Sequence, residues 1–140
     1  MNTSQQSKPA WINFVAFIAF AFGGLTIFSG GSVLFLDGQA RADAGAFVPF
    51  ILWFNFIAGF FYIAASMGIF TWQKWGLTLS RIIFVTTVVA LVALVVHIAS
   101  GGNYEMRTLV AMVLRSTVWL AISFAVAKAW KKSGLAPANQ

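Results

Sequence analysis

The chain has 140 residues, of which 60% are hydrophobic and 9% charged, with a mean hydropathy of +0.85. A soluble domain carries about 25% charged residues, so this composition excludes a water-soluble monomer; at about 20 apolar residues per crossing of a hydrocarbon core about 30 Å thick, the length allows four crossings and no second domain. The formal charge of +6 would suit a nucleic-acid partner in a soluble protein, but the basic residues flank apolar runs and read as membrane anchors, while the absence of cysteine removes disulfides, thiolate nucleophiles and cysteine-ligated metals.

The polar leader, residues 1 to 8, is followed by Pro9, whose missing N–H costs nothing in a first helical turn. The first span is predicted over residues 10 to 34. Its run WINFVAFIAFAFGGLTIFSGGSVLF exceeds the apolar core of a signal peptide and only Lys8 precedes it, so it is expected to remain as a span. Gly23, Gly24, Gly30 and Gly31 lie in this run with no preceding strand, which favours close helix packing over a phosphate-cradling loop. Phe14, Phe17, Phe20 and Phe22 wrap the helix instead of lining one face, and lipid contact is expected for them.

A polar loop, residues 36 to 46, leads into a second span over 47 to 71, with Pro49 in its first turn. The turn 72 to 76 is so short that it joins antiparallel neighbours, and the third span follows over 77 to 99. Its Val, Ile and Thr are weak helix formers in water, but unpaired backbone costs far more in lipid, so helix is predicted. After the loop SGGNYE a fourth span covers 106 to 128, and residues 131 to 140 form a tail expected, like the leader, to be flexible. The fold class is therefore all-α, a polytopic membrane protein built as an antiparallel four-transmembrane-helix bundle.

All five lysines fall at one end of this arrangement: Lys8, Lys74, Lys128, Lys131 and Lys132. The acids Asp37, Asp43 and Glu105 fall at the other. Basic bias over short loops predicts that the lysine end, with both termini, faces the cytoplasm of a bacterial inner membrane. Trp11, Trp72, Trp75 and Trp130 map to the same interface, where an amphipathic ring is favoured, and Arg81 reads as a snorkelling anchor there. So strong an asymmetry argues against a dual-topology small multidrug exporter, as does the lack of a carboxylate in the first span.

Arg115 is the most informative residue. It lies nine residues into the fourth span, about 13 Å from the outer end at helical rise, where a guanidinium is costly and must turn inward to a partner. Asn55 sits at matching depth in the second span. Asn55, Gly59, Tyr62 and Ser66 recur at i, i+4, i+7 and i+11, a polar and small stripe expected to pack inward. Ala111, Arg115 and Trp119 share a face, which allows a cation–π contact between Arg115 and Trp119.

With His97, Tyr104, Glu105 and Arg107 above them, Asn55 and Arg115 are predicted to line an outward-facing polar vestibule. Glu105 is expected to pair with Arg107 or to draw Arg115 upward. The vestibule reads either as a pocket for an anionic or quinone-like headgroup, a proton relay or a docking surface, or as a satisfied network that locks helix register. His97 is the only histidine, so one protomer cannot supply bis-His haem ligation or a metal site with three or more ligands; the plain expectation is an interfacial ring bonded to the nearby loop.

The stretches WFNFIAGFFYIAASMGIFTWQKWG and HIASGGNYEMRTLVAMVLRSTVWLAISFAVA resemble those of the small four-helix inner-membrane proteins of bacteria and, more loosely, of the DoxX-like group. The resemblance implies a four-helix bundle and mostly auxiliary roles, and it carries no functional residues over. The first functional expectation is a non-enzymatic accessory or assembly subunit that binds a larger membrane complex, a periplasmic partner or a second copy of itself through Gly and Ser faces and the vestibule. A small oligomeric carrier or channel with an anion site at Arg115 and Asn55 is the second. The third is a haem- or quinone-binding oxidoreductase subunit; otherwise no cofactor is expected, and hydrolysis lacks a placed Ser or Thr, Ser100 being close to His97 and Glu105 in sequence only.

Overall fold

In the computed structural model residues 8–36 and 38–134 are described; Asp37 and the segments 1–7 and 135–140, where flexible ends were expected, lie outside them. The described residues form five helices and no strand: α1 (Trp11–Phe35), α2 (Gln39–Asp43), α3 (Pro49–Phe70), α4 (Lys74–Ala99) and α5 (Met106–Gly134). All but α2 are long and apolar enough to cross a bilayer. The fold is all-α with four membrane-spanning helices.

Most side-chain hydroxyls in these spans are satisfied within their own helix. Ser32 donates to the Phe28 carbonyl at 2.7 Å, Ser80 to Gly76 at 2.8 Å, Thr86 to Ile82 at 2.9 Å and Ser116 to Met112 at 2.9 Å. Back-bonding of this kind lets a hydroxyl sit in lipid or in a dry bundle without another helix as partner.

The ends follow local chemistry. Pro49 opens α3 at a first-turn position, and Trp72 closes it in the left-handed region, φ 55°, with the Gln73 N–H bonded to the Gly68 carbonyl at 2.8 Å. A left-handed tryptophan is strained by about 1–2 kcal/mol; stacking of its ring on Trp130, centroids 4.9 Å apart, offsets this and clips α3 to α5. Gly101, φ 85°, ends α4 in the same manner. Lys8 donates to the Phe70 carbonyl at 2.7 Å and lies over the Phe70 ring, placing a cation at the negative end of α3.

Two helix ends and one loop differ from the sequence expectation by more than two residues. The α3–α4 turn is tighter, since α4 starts at Lys74 and not at residue 77, because nothing in KWG interrupts a helix whose backbone is otherwise unpaired. The last helix runs to Gly134, past residue 128 and into the basic tail. The 36–46 loop contains α2, where the Gln39 side chain donates to Asp43 four residues on.

α1 packs along α3, α3 along α4 and α4 along α5, while α1 and α5 approach each other only sparingly. The most extensive pairing joins α1 and α3, while Gly68 and Gly76 bring α3 and α4 into backbone contact beside their turn. A Cβ at Gly23 would strike the Gly59 carbonyl and Ile63, and one at Gly59 would strike Ile27 and the Gly23 carbonyl. Gly30 and Gly31 pack on Phe56, whereas Gly24 faces open space.

Two cores result. At the lysine end all four spans contribute, through Ile12, Ala16 and Ala19, Ala58, Tyr62, Ala65 and Ile69, Leu77 and Ile83, and Trp119, Ile122, Val126 and Ala129. At the acidic end the core is smaller and comprises Val48, Ile51, Ala90, Leu94 and Met112, from α3, α4, α5 and the residue that caps α3, with nothing from α1. The bundle is thus packed shut at one end and parted at the other, between α1 and α5.

Candidate functional site

The parting between α1 and α5 is a cavity of about 500 Å³ at the acidic end of the bundle. Asn55 enters it from α3, and Thr108, Ala111 and Arg115 from α5. α1 contributes Thr26, Ser29, Gly30 and Val33, spaced i, i+3, i+4 and i+7 on one helical face, together with Ser32. The sequence reading missed this α1 wall. Its signal is the run LTIFSGGS, three hydroxyls three residues apart in an otherwise apolar helix, beside glycines that by themselves indicate only packing.

The roof comes from the α2 loop. Ala40, Asp43, Ala44 and Phe47 line the cavity beside Glu105 and Arg107. Glu105 accepts the Ala46 N–H at 2.9 Å, and Arg107 donates to the Asp43 carbonyl, so each ties the loop to the start of α5. The expected Glu105–Arg107 pair is replaced by these two ties, because backbone groups of the loop lie nearer to each side chain than the two side chains lie to one another across the helix start.

Beneath the cavity is an aromatic stack running from α1 through α3 to α5. The rings of Phe22 and Tyr62 are 5.9 Å apart at 18°, and those of Tyr62 and Trp119 are 4.8 Å apart at 44°. Tyr62 and Trp119 are fully buried. Phe22 therefore turns inward, unlike Phe14, Phe17 and Phe20, which are exposed to the surroundings as expected. The Arg115 guanidinium carbon lies 6.0 Å from the centre of the Phe22 ring. The cation–π partner is thus Phe22 of α1, not Trp119, since Trp119 is already stacked on Tyr62.

The polar atoms left over mark this region out. While most hydroxyls in the spans bond within their helix, Asn55 Oδ1, Tyr62 Oη, Thr87 Oγ1, Arg115 Nε and Trp119 Nε1 are buried without a hydrogen-bond partner. Tyr62 is the meeting point of this group, with Thr87, Trp119 and the charge of Arg115 as neighbours. A buried polar group without a partner costs about 1–3 kcal/mol, more when charged. Two of them, Asn55 Oδ1 and Arg115 Nε, belong to residues that line the cavity, and these are the groups a ligand there would satisfy.

The remaining predicted residues are placed elsewhere. His97 lies outside the cavity lining; its Nε2–H donates to the Asn103 carbonyl at 3.0 Å and its ring meets Phe50 edge-on at 5.9 Å. Tyr104 packs on the acidic-end core with Leu109 and Ile98. Gly59 and Ser66 are buried in the α1–α3 interface region, Ser66 donating to the Ile63 carbonyl at 2.6 Å. Of the six residues predicted to bind, the cavity gathers four: Asn55, Glu105, Arg107 and Arg115.

Four apolar spans define the chain as a small multi-pass integral membrane protein, with a cavity at one end whose largely apolar wall carries a few polar groups. Comparison with family models, with curated proteins and with solved structures returned no match, so the site rests on its own geometry.

Proposed function

We propose that this protein is a non-enzymatic, membrane-embedded binding protein whose cavity faces outward and takes an acidic group of its ligand at Arg115. The observation that carries this reading is a guanidinium set at midspan depth in a cavity of about 500 Å³, with its Nε unpartnered and no carboxylate paired with it among the described residues. The two cavity carboxylates that the structure describes, Asp43 and Glu105, belong to the α2 loop and the α5 start, where both accept hydrogen bonds. The deep end is left cationic. Placing Arg there costs from about 2.5 kcal/mol to more than 10, and a bound acid offsets that cost where an aromatic face alone does so weakly.

Concavity favours this reading over docking of a protein partner, the first expectation from sequence. A stable protein interface buries about 800 Å² per partner on a broad, complementary surface, whereas here the polar groups converge at the bottom of a roofed pocket. A carrier needs a second exit, and the lysine-end core of Ile12, Ala16, Tyr62, Ile69 and Trp119 closes that route in this conformation. The lysine bias supports a closed end on the cytoplasmic side of a bacterial inner membrane, and the DoxX-like resemblance supports an auxiliary role.

The test is intact-mass analysis of the protein purified from native membranes in mild detergent. Wild type is expected to carry an acidic small molecule, and Arg115→Gln to lose it while keeping a cooperative thermal transition. A ligand-free wild type, or an adduct that survives Arg115→Gln in a folded protein, removes the reading.

A further inference from the structure

The cavity has two approaches that differ in chemistry. On the aqueous side its mouth carries Asp43 and Glu105 and is roofed by the α2 loop, which Glu105 and Arg107 hold down. A free anion arriving there meets the Asp43 and Glu105 carboxylates with only the Arg107 guanidinium against them, a mouth of net negative charge, before it meets Arg115. On the lipid side lies the seam between α1 and α5, which lack close backbone approach. The cavity reaches this seam, for Phe28 and Ser29 line it and are both exposed, Phe28 to 74%.

Size and lining point the same way. A cavity of about 500 Å³ has the volume of roughly 17 water molecules at about 30 Å³ each, several times what a bare phosphate or carboxylate fills. Its walls combine apolar Phe28, Val33, Phe47 and Leu52 with polar Thr26, Ser29, Asn55 and Arg115. Asn55 is nine-tenths buried, at 8% exposure, and its Oδ1 has no donor. A head that satisfies both deep groups presents an acid to Arg115 and a hydroxyl to Asn55 Oδ1, as a glycerol phosphate does.

We propose that the ligand is an anionic amphiphile with a hydroxyl-bearing phosphate head, which enters sideways between α1 and α5 and leaves its acyl chains in the seam. The proposal rests on the reading of Arg115 as an acid-binding cation and adds to it the ligand class and the route. Phe28 at the lip lies against the chains, and Thr26 and Ser29 offer hydroxyls to the head on its way to Arg115.

The experiment is native mass spectrometry of delipidated full-length protein offered equimolar phosphatidylglycerol and phosphatidylcholine with matched chains, beside a thermal-shift titration with inorganic phosphate. Wild type is expected to retain phosphatidylglycerol about tenfold over phosphatidylcholine, the scale of one charge-assisted hydrogen bond. Arg115→Gln brings the ratio to about one, and Arg115→Lys restores part of it. Ser29→Trp, which fills the lip, cuts phosphatidylglycerol retention several-fold with an unchanged melting temperature.

A phosphatidylglycerol preference that persists in folded Arg115→Gln overturns the proposal. So does Arg115-dependent stabilisation by inorganic phosphate with no lipid preference, which leaves the acid site standing without its amphiphile. If neither phosphate nor phosphatidylglycerol responds to Arg115, the acid site falls as well.

Discussion

At the scale of single residues, the question is which buried polar groups serve the fold and which do not. Tyr62 is fully buried, and its hydroxyl has Thr87 and Trp119 beside it without a hydrogen bond of normal geometry to either, so the ring supplies the packing and the hydroxyl contributes little to stability. Tyr62→Phe is expected to change unfolding stability in detergent by less than about 1 kcal/mol, in either direction. Trp119→Ala, which empties the end of the same aromatic stack, is expected to cost about 3–5 kcal/mol. Thermal or denaturant melts compare the two; a large loss in Tyr62→Phe means that the hydroxyl holds the bundle together. His97 is the opposite case. Its Nε2–H bonds the Asn103 carbonyl and its backbone carbonyl accepts the Gly102 N–H at 2.9 Å, so the ring is part of the cap that turns α4 into the next loop.

Between elements, the governing fact is how closely α1 and α3 cross. Their backbones meet at Gly23 and Gly59, where a Cβ on either would overlap the facing helix. Gly59→Val is expected to destabilise by about 1–3 kcal/mol, because backbone atoms cannot yield as a side-chain end would. Gly24→Ala, one residue from Gly23 but facing open space, is expected to be neutral or to stabilise by about 0.5–1 kcal/mol through helix propensity. Equal effects of the two substitutions on the melting temperature would show that propensity, not contact, governs both. The contrast with the α1–α5 seam follows from composition. α1 spends its glycine face on α3, and toward the α5 side it presents the hydroxyls Thr26, Ser29 and Ser32, of which Ser32 bonds its own helix at Phe28.

For the whole molecule, charge asymmetry predicts an orientation and with it the compartment that the cavity faces. A chain without cysteine is suited to site-specific labelling. Ala42→Cys, in the exposed α2 loop, is expected to react with a membrane-impermeant maleimide in intact cells, and Gln73→Cys, in the exposed α3–α4 turn, only after permeabilisation. The reverse pattern would turn the cavity toward the cytoplasm and remove its outward role, while leaving the fold untouched.

Much of this was legible along the chain. Apolar length defined four spans because lipid forces every crossing backbone into a helix, whatever its side chains prefer. Period likewise placed Asn55, Gly59, Tyr62 and Ser66 on one buried face, and depth alone set Arg115 and Asn55 at a common level. What a one-dimensional reading lacks is the rotation of each helix about its axis and the identity of its neighbour. Those depend on how neighbouring surfaces interlock, and only the tertiary structure decided that Phe22 of α1 faces Arg115, that Glu105 and Arg107 each grip the α2 loop, and that α1 packs tightly on α3 while standing off from α5.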